Sequence, residues 1–211
     1  TYTDGMINDS AGETLAGIAA ETVLKANTPA YVVVESDPAK DSIEARMKAT
    51  YGMTQAEIDA NITFLDLDHD TIWFIDYGPV PLVRDDGKIA FGDFRYYHSR
   101  ILDDALTTKI GNILGVDTFR MPIDTEGGTF QGDGEGTCYT AERGIQNSGL
   151  SQADFQAVWQ DYIGCDQTVV LKDITDDGTG HLDMFFKLVD KNKAIVGEYK
   201  APYVLDAQNE A

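Results

Sequence analysis

The stretch that decides the fold is residues 128–140, GTFQGDGEGTCYT. Two short runs rich in apolar and β-branched residues flank the polar turn DGEG, and this pattern predicts a β-hairpin. The turn recurs roughly every 50 residues, a period typical of repeat architectures. Two further hairpins are predicted, with strands at 80–83 and 88–91 and at 182–189 and 194–199.

A helix followed by a strand is predicted between successive hairpins. The helix at 103–114 leads to a strand at 118–122, and the helix at 152–163 leads to a strand at 167–171. The repeating unit is therefore hairpin, helix and strand, which places the chain in the α/β class.

The first 70 residues alternate helices with strands. Ser10 can cap a predicted helix in which these residues recur at helical spacing: Leu15, Ile18, Ala19, Thr22 and Val23. The β-branched run at 31–34 predicts a strand buried on both faces. A helix within 38–50, a short helix from Thr54 and a strand at 62–67 follow.

Composition limits the classes of partner. The chain has 211 residues, with 16 basic and 36 acidic side chains and a formal charge of −20. Nucleic acids and anionic membrane surfaces select basic proteins, so neither is an expected partner. The longest apolar runs are strand-sized, and none could span a bilayer.

Unusual polar residues stand just before the hairpins, at comparable places in each repeat. Asp76 precedes the first hairpin, Glu126 precedes the second, and His181 with Asp183 opens the third. If the repeats surround a common axis, these four side chains converge on it.

Three motifs carry a resemblance to a known family. They are WFIDYGP at 73–79, EGG at 126–128 with DGEGT at 133–137, and GHLD at 180–183. In order and spacing they resemble, across roughly residues 60–200, the guanidino-group-modifying enzymes of the pentein fold, in the branch of agmatine deiminase and bacterial peptidylarginine deiminase. The resemblance implies an α/β propeller of five ββαβ modules with the active site on its axis, of which this chain holds about three. It also implies that residues 1–211 are the N-terminal part of a single pentein-type deiminase domain.

The resemblance assigns roles to these residues. A guanidinium is planar, charged and rich in donors, so its pocket needs carboxylates that accept paired hydrogen bonds. Asp76 and Asp183 are the implied clamps, and His181 is the implied proton donor and later base. Glu126 is implied to support His181, and Trp73 to form an apolar wall of the pocket. Taken singly, each feature has an ordinary explanation. Asp76 could be a turn former, and the glycines of the EGG motif could belong to a loop that needs positive φ. His181 could be an ordinary hydrogen-bonded side chain.

Two arginines follow the first hairpin. Arg95 and Arg100 could pair with a substrate carboxylate, which would favour arginine at the C-terminus of a peptide. In so acidic a chain they could equally be surface ion-pair partners.

The chain departs from the family pattern at two points. Ile75 stands where an arginine commonly precedes the first aspartate. The family nucleophile, a cysteine in a glycine-rich segment after the His-x-Asp motif, has no counterpart, because no cysteine follows Cys165. We therefore expect the N-terminal chain of a processed or split enzyme, or a truncated portion, with a C-terminal companion chain that carries the nucleophilic cysteine.

The two cysteines leave an alternative open. Cys138 and Cys165 have no metal-type spacing, and they form either a single bridge or two buried thiols. A bridge would suit an exported protein, so a secreted or periplasmic location is somewhat favoured.

No cofactor and no catalytic metal are expected, but two acidic clusters are candidates for structural calcium. The first is Asp66, Asp68 and Asp70, and the second is Asp173, Asp176 and Asp177. The first has neither the glycine nor the glutamate of an EF-hand, and both clusters could be solvated loop acids.

The function predicted from the sequence is hydrolysis of the guanidinium of arginine or an arginine-like substrate. A peptidylarginine deiminase of this kind would give citrulline and ammonia. The alternatives are an arginine-binding relative without catalysis, an agmatine deiminase, and an amidinotransferase.

Overall fold

The structure is a computed structural model that describes residues 3, 10–174 and 177–198. The chain divides into two compact units, Thr1–Phe74 and Ile75–Ala211. The expectation of a single domain across residues 1–211 stays a prediction.

The described part of the first unit pairs two parallel strands with three helices. Ser36 caps the second helix by accepting from the amide of Ala39, and Gly52 ends it in the left-handed conformation with φ 70°. Thr54 and Glu57 form a capping box on the third. These elements are α1 Ser10–Leu24, β1 Ala30–Val34, α2 Asp37–Tyr51, α3 Gln55–Asn61 and β2 Ile62–Asp66.

Helix α1 contributes mainly small residues to the core of the first unit. Helix α1 buries the small residues Ala16, Ala19 and Ala20, whereas Ile18 is 60% exposed. Small side chains let α1 pack closely, as the contact of Gly17 with the Tyr51 ring shows. Of the residues at the predicted helical spacing, Ala19 is in the core and Leu15 and Val23 pack against it, whereas Ile18 does not.

The strand at 31–34 is likewise not covered on both faces. In β1, Val33 and Val34 are buried, but Tyr31 is 58% exposed.

The second unit begins with the repeat that the sequence predicted. Strands β3 and β4 pair antiparallel, and β5 pairs parallel with β4. The predicted helix at 103–114 is divided in two, because Ala105 ends one short helix and begins the next. Helix α4 Phe74–Tyr77 begins at the last residue of the first unit. The elements that follow are β3 Val80–Val83, β4 Ile89–Arg95, α5 Ile101–Asp104, α6 Leu106–Leu114 and β5 Asp117–Asp124.

The next repeat has the same sheet order. Strands β6 and β7 pair antiparallel, and β8 pairs parallel with β7. Its first hairpin strand is shorter than predicted, because Gly127–Thr129 forms a 3₁₀ turn. Helix α7 was not predicted. The elements are β6 Gln131–Gly132, β7 Thr137–Ala141, α7 Glu142–Ser148, α8 Gln152–Ile163 and β8 Gln167–Leu171.

A third hairpin follows. A 3₁₀ turn at Leu182–Met184 replaces the predicted start of its first strand, and β9 Phe186–Asp190 pairs antiparallel with β10 Lys193–Val196. The end of the predicted second strand, Tyr199, lies outside the described residues.

A disulfide between Cys138 and Cys165 joins β7 to the segment before β8. Both cysteines are buried in a core with Phe155 and Trp159, and the ring of Phe130 meets Trp159 edge-on at 5.1 Å between centroids. The bridge therefore links the two parts of the second repeat covalently. Of the two alternatives for these cysteines, a single bridge or two buried thiols, the structure has the bridge.

Within residues 10–174 and 177–198, no helix is both long and apolar enough to cross a membrane.

Candidate functional site

Three of the four residues that precede the hairpins meet in the second unit. Nε2 of His181 lies 2.7 Å from Oε2 of Glu126 and 3.7 Å from Oδ1 of Asp76. Their side chains are 16%, 12% and 6% exposed, respectively. The cluster therefore combines one imidazole with two carboxylates that have little contact with water.

Asp76 is held in the short helix α4, whose carbonyl at Tyr77 accepts a hydrogen bond of 2.8 Å from the hydroxyl of Thr107. The amide of Gly128 donates to the Asp76 carboxylate, while its Oδ1 has no hydrogen-bond partner. Burial raises the pKa of Asp76 to about 6, although His181 acts in the opposite direction. A buried carboxylate oxygen without a donor is suited to receive one from a cation.

The glycines after Glu126 are required by close approach. A β-carbon at Gly127 would stand 1.8 Å from the carbonyl oxygen of Ile75, and one at Gly128 would stand 2.7 Å from Nδ1 of His181. Neither glycine has positive φ. The reading of this motif as a loop with left-handed residues is therefore wrong.

His181 is positioned by a turn that Asp177 organises. The Asp177 carboxylate accepts from the amides of Thr179, Gly180 and His181 at 3.0, 2.9 and 3.1 Å. Gly180 has φ 75°, which places it in the left-handed region. Burial opposes ionisation of Asp177, but a hydrogen bond from the Thr179 hydroxyl at 2.7 Å and those from the amides together outweigh it and lower the pKa of the carboxyl.

Sequence reasoning missed this role for Asp177, which it treated only as a calcium candidate. The aspartate followed by Gly-Thr-Gly could have indicated it, because aspartate commonly accepts from backbone amides two residues on. Its cluster neighbour Asp176 lies outside the described residues.

The hydrogen bond with Glu126 is the main cause that raises the pKa of His181 above its ordinary value. Burial opposes this shift, whereas the charges of Asp76 and Asp183 add to it. The arrangement favours the imidazolium near neutral pH.

Asp183 is linked to this cluster through charge. The residue is exposed, yet loss of water around its carboxyl raises the pKa of Asp183 against the influence of His181 and Lys187. Asp183 is not one of the three closely grouped ligand atoms, and its role as a second clamp stays a prediction.

Trp73 belongs to the first unit, where it is 53% exposed. Its role as a pocket wall stays a prediction. Ile75, which stands in place of the family arginine, is 62% exposed.

The two arginines make contacts within the second unit. Nε of Arg95 lies 3.2 Å from Oδ1 of Asp124, and its guanidinium donates to the carbonyl of Pro122 at 2.7 Å. Arg100 donates to the hydroxyl of Tyr96 at 2.5 Å. Their proposed contact with a substrate carboxylate stays a prediction.

A cavity of about 430 Å³ opens beside Glu126. Residues that line it include Arg95, Tyr97, His98, Asn147 and Thr179. The wall carries both donors and acceptors, so the cavity could receive a polar molecule next to the cluster.

Tyr97 is a residue of the site that sequence reasoning did not find. Its hydroxyl donates to Oε1 of Glu126 over 2.5 Å. Nothing in the local sequence identifies it, because the contact spans 29 positions.

The close cluster is also the one group of three among the described residues with possible metal-ligand atoms within 4.8 Å of one another. Adjacent ligands around zinc stand about 3.3 Å apart. The 2.7 Å separation of the His181 and Glu126 atoms is shorter than this, and it suits a shared proton.

In the first acidic cluster, Asp66, Asp68 and Asp70 are all exposed. Calcium at either acidic cluster stays a prediction.

The cluster contains no thiol. Cys138 and Cys165 are the only cysteines of the chain and are bonded to each other. Neither can attack a substrate in this state.

Known sequences include a family whose profile this chain matches. A sequence profile of the Porphyromonas-type peptidyl-arginine deiminase family matches residues 6–209. A protein from Mycoplasma capricolum subsp. capricolum, which carries the provisional name agmatine deiminase, is 27% identical over 155 residues. That match covers 66% of this chain and 43% of the relative.

Comparison with solved structures agrees with the sequence matches. The agmatine deiminase of Enterococcus faecalis matches with a TM-score of 0.78 at 22% identity, covering 99% of this chain and 58% of that one. The agmatine deiminase of C. jejuni, in a cysteine-to-serine variant with substrate bound, matches with a TM-score of 0.70 at 18% identity, covering 92% and 57%. The likeness confirms the predicted α/β propeller of the pentein type, and the chain spans about half the length of the relatives it matches.

Proposed function

Because the chain belongs to the Porphyromonas-type peptidyl-arginine deiminase family, we propose that it supplies the carboxylates and the histidine of a site that hydrolyses a guanidinium group. The products are ammonia and a ureido group. The observation that carries the proposal is the cluster of Asp76, Glu126 and His181, which is largely shielded from water and drawn from three repeats.

The carboxylates bind the substrate cation. Oδ1 of Asp76 has no donor of its own, and Asp183 contributes a second negative charge near His181. A guanidinium offers donors in a planar fork, so two carboxylates can bind it and fix its orientation. Its positive charge also favours the ionised form of Asp76.

The first half-reaction forms a covalent intermediate. A cysteine thiolate attacks the central carbon of the guanidinium, and a new C–S bond forms as one C=N bond becomes single. His181, protonated through its contact with Glu126, gives its proton to one nitrogen. The C–N bond then breaks, ammonia leaves, and an S-alkylthiouronium remains.

The second half-reaction consumes water. The now neutral His181 accepts a proton from a water molecule that attacks the same carbon. The C–S bond breaks, the thiolate leaves, the proton that remains on the new hydroxyl passes to solvent, and the carbon keeps the oxygen as a ureido group. His181 returns to its protonated state, so the chain's own residues complete a cycle.

The nucleophile comes from outside the 211 residues. Both cysteines of the chain are bridged and buried, and we propose that a C-terminal companion chain carries the reactive one. The substrate-bound C. jejuni relative, in which serine replaces a cysteine, supports a cysteine-dependent reaction.

The proposed substrate is arginine or peptidyl arginine, which would give citrulline. Arg95 lines the cavity beside Glu126, where it could meet a carboxylate. Agmatine, which lacks a carboxylate, is the alternative substrate and is supported by the names of the relatives.

A non-catalytic arginine-binding protein is the second candidate function. The absence of a free thiol in the chain favours it.

An assay of citrulline and ammonia on the complete assembly separates the two functions. Native assembly and its Asp183→Asn variant are compared with arginine, a peptide ending in arginine, and agmatine as substrates. We expect equal amounts of ureido product and ammonia from the native assembly and a strong loss in the variant. An assembly that binds these compounds without turnover would favour the second function.

Denaturing mass spectrometry of the active preparation tests the companion chain. We expect a second polypeptide that contains cysteine. Activity from a single polypeptide, whether of these 211 residues or of a longer chain that includes them, would refute the split enzyme.

The buried disulfide also supports a location. Such bridges persist in oxidising compartments, and we propose that the protein is secreted or periplasmic. Fractionation that places the mature protein in the cytoplasm would contradict this.

A further inference from the structure

The proposed chemistry leaves Tyr97 without a role, although the residue contacts the cluster directly. Its hydroxyl donates to Oε1 of Glu126 over 2.5 Å, while Oε2 of the same carboxylate meets Nε2 of His181 at 2.7 Å. Each oxygen of Glu126 therefore has its own partner, and the carboxylate is fixed at both ends.

Tyr97 is itself held by its neighbours. The Arg100 guanidinium lies 5.1 Å from the centroid of the Tyr97 ring and 5.4 Å from that of Tyr96, and the two rings are 4.6 Å apart. Arg100 also donates to the Tyr96 hydroxyl. Since Tyr97 is 44% exposed, this stacking limits the rotation of a ring that solvent would otherwise leave free.

We infer that Tyr97 is a positioning residue, which orients the Glu126 carboxylate towards His181, and that Arg100 holds the Tyr97 ring in place for this purpose. The consequence for turnover rests on the proposed function, whereas the geometric role does not. A glutamate side chain has several rotatable bonds, and a second fixed oxygen removes much of that freedom.

The cavity beside Glu126 offers space into which the carboxylate could rotate. Tyr97 and Glu126 both line it, so a Glu126 side chain released by the hydroxyl could turn towards water there. Its hydrogen bond with His181 would then be made for a smaller part of the time.

The charged groups around both residues are defined. His181 is faced by Glu126, Asp76 and Asp183, and Tyr97 is faced by Glu126, Arg100 and Asp76. Burial and the contact with Glu126 raise the pKa of Tyr97 to about 12. The hydroxyl therefore remains a donor across the physiological range.

Two effects of Tyr97→Phe on His181 have opposite signs. Loss of positioning weakens the contact with Glu126 that raises the pKa of His181, so the pKa falls towards the ordinary value. Loss of the hydroxyl alone, with Glu126 unmoved, would leave more charge on the carboxylate and raise the pKa of His181. The inference predicts the fall.

The test is an NMR titration of the imidazole signals in the protein without substrate. The chain has three histidines, and the His181 signal is identified by its loss in His181→Gln. Tyr97→Phe should lower the pKa of His181. Tyr162→Phe, which removes a hydroxyl from an exposed tyrosine of α8, should leave it unchanged. A His181 pKa that is unchanged or higher in Tyr97→Phe would overturn the inference.

Arg100→Lys tests the second half of the inference, because it keeps the charge and removes the planar stacking group. We expect the pKa of His181 to move in the same direction as in Tyr97→Phe, by a smaller amount. An unchanged pKa would refute the holding role of Arg100. If Arg100 served only to bind a substrate carboxylate, Arg100→Lys would leave the pKa of His181 unchanged in the protein without substrate.

Turnover by the complete assembly provides the catalytic readout. Tyr97→Phe should lower kcat about tenfold, the effect of losing one hydrogen bond to a charged group, with KM changed by less than about twofold. The alkaline limb of the kcat profile should move to lower pH. A rise in KM with kcat unchanged would overturn the positioning role. If the native assembly turns over no guanidino substrate, the proposed function fails, while the NMR titration still decides the role of Tyr97.

Discussion

The backbone of Gly128 lies against the imidazole of His181, so closely that a β-carbon at position 128 would stand 2.7 Å from Nδ1. The same glycine donates its amide to the Asp76 carboxylate. One residue without a side chain therefore lets the acid of the first repeat and the histidine of the third approach each other.

Gly128→Ala should disable the site without unfolding the chain. The added methyl group must displace the His181 ring, and a misplaced proton donor should lower kcat by about a hundredfold. Turnover of the complete assembly is measured alongside the melting temperature. Gly197→Ala is the matched control, since a β-carbon there would make only ordinary contacts with Phe185, at 3.5 Å or more. Equal activity in the two variants would contradict the placement of His181.

Asp76→Asn should weaken binding of guanidino compounds about tenfold or more, because a charge-assisted hydrogen bond is lost. Calorimetric titration with arginine and with agmatine measures this. Asp161→Asn, which removes an exposed charge from α8, should bind as the native protein does. Equal losses in both variants would mean that net charge, and not Asp76, governs binding.

Binding should also depend on pH in a direction that Asp76 sets. The pKa of Asp76 is raised to about 6, chiefly by burial, and only the ionised form attracts a guanidinium. Affinity should therefore fall as the pH drops through about 6, and protons should be released on binding below that value. In Asp76→Asn the affinity should depend less on pH over this range. A native affinity that is constant from about pH 5 to 7 would contradict the assignment.

Glu126→Gln should lower the pKa of His181, since the hydrogen bond with Glu126 is the largest cause that raises it. A group whose protonated form is stabilised loses that form as the pH rises through its pKa. The variant should therefore lose activity at a lower pH than the native assembly does. NMR titration of His181 and the kcat profile measure the two effects. A shift of the alkaline limb to higher pH would show that Glu126 acts in another way.

The disulfide should contribute stability but no chemistry. A bridge that spans 27 positions stabilises by about 2 to 4 kcal/mol. The double variant Cys138→Ala/Cys165→Ala should therefore unfold at a lower denaturant concentration. At denaturant concentrations below its unfolding transition, the assembly that contains the double variant should retain the native kcat. Loss of turnover in folded protein would identify one of these cysteines as the nucleophile.

Much of the fold could be predicted from local patterns. Polar turns between β-branched runs locate the hairpins, because such turns have strict residue preferences. Strand lengths were less predictable. The 3₁₀ turn at Gly127–Thr129 takes the place of a strand because its glycines pack against Ile75 and His181, and this depends on distant parts of the chain.

The candidate site could be predicted in part for the same reason. Asp76, Glu126 and His181 stand at repeated positions, so the repeat pattern and the family resemblance both predict that they lie close together. Tyr97 contacts Glu126 across 29 positions, so the local sequence carries no sign of the contact. Asp177 has a local signature, but an aspartate in a polar turn is easily interpreted as a solvated loop acid. The bridge between Cys138 and Cys165 depends on two strands meeting across the second repeat, which composition does not determine.

The most direct test of the central claim is the reaction of a guanidino substrate in water labelled with oxygen-18, catalysed by the complete assembly that contains this chain. Hydrolysis through His181 predicts one labelled oxygen in each ureido product and one ammonia for each product, with both lost in His181→Ala. Transfer of the amidino group to an amine without incorporation of the label, or no reaction in a folded and complete assembly, would contradict the account.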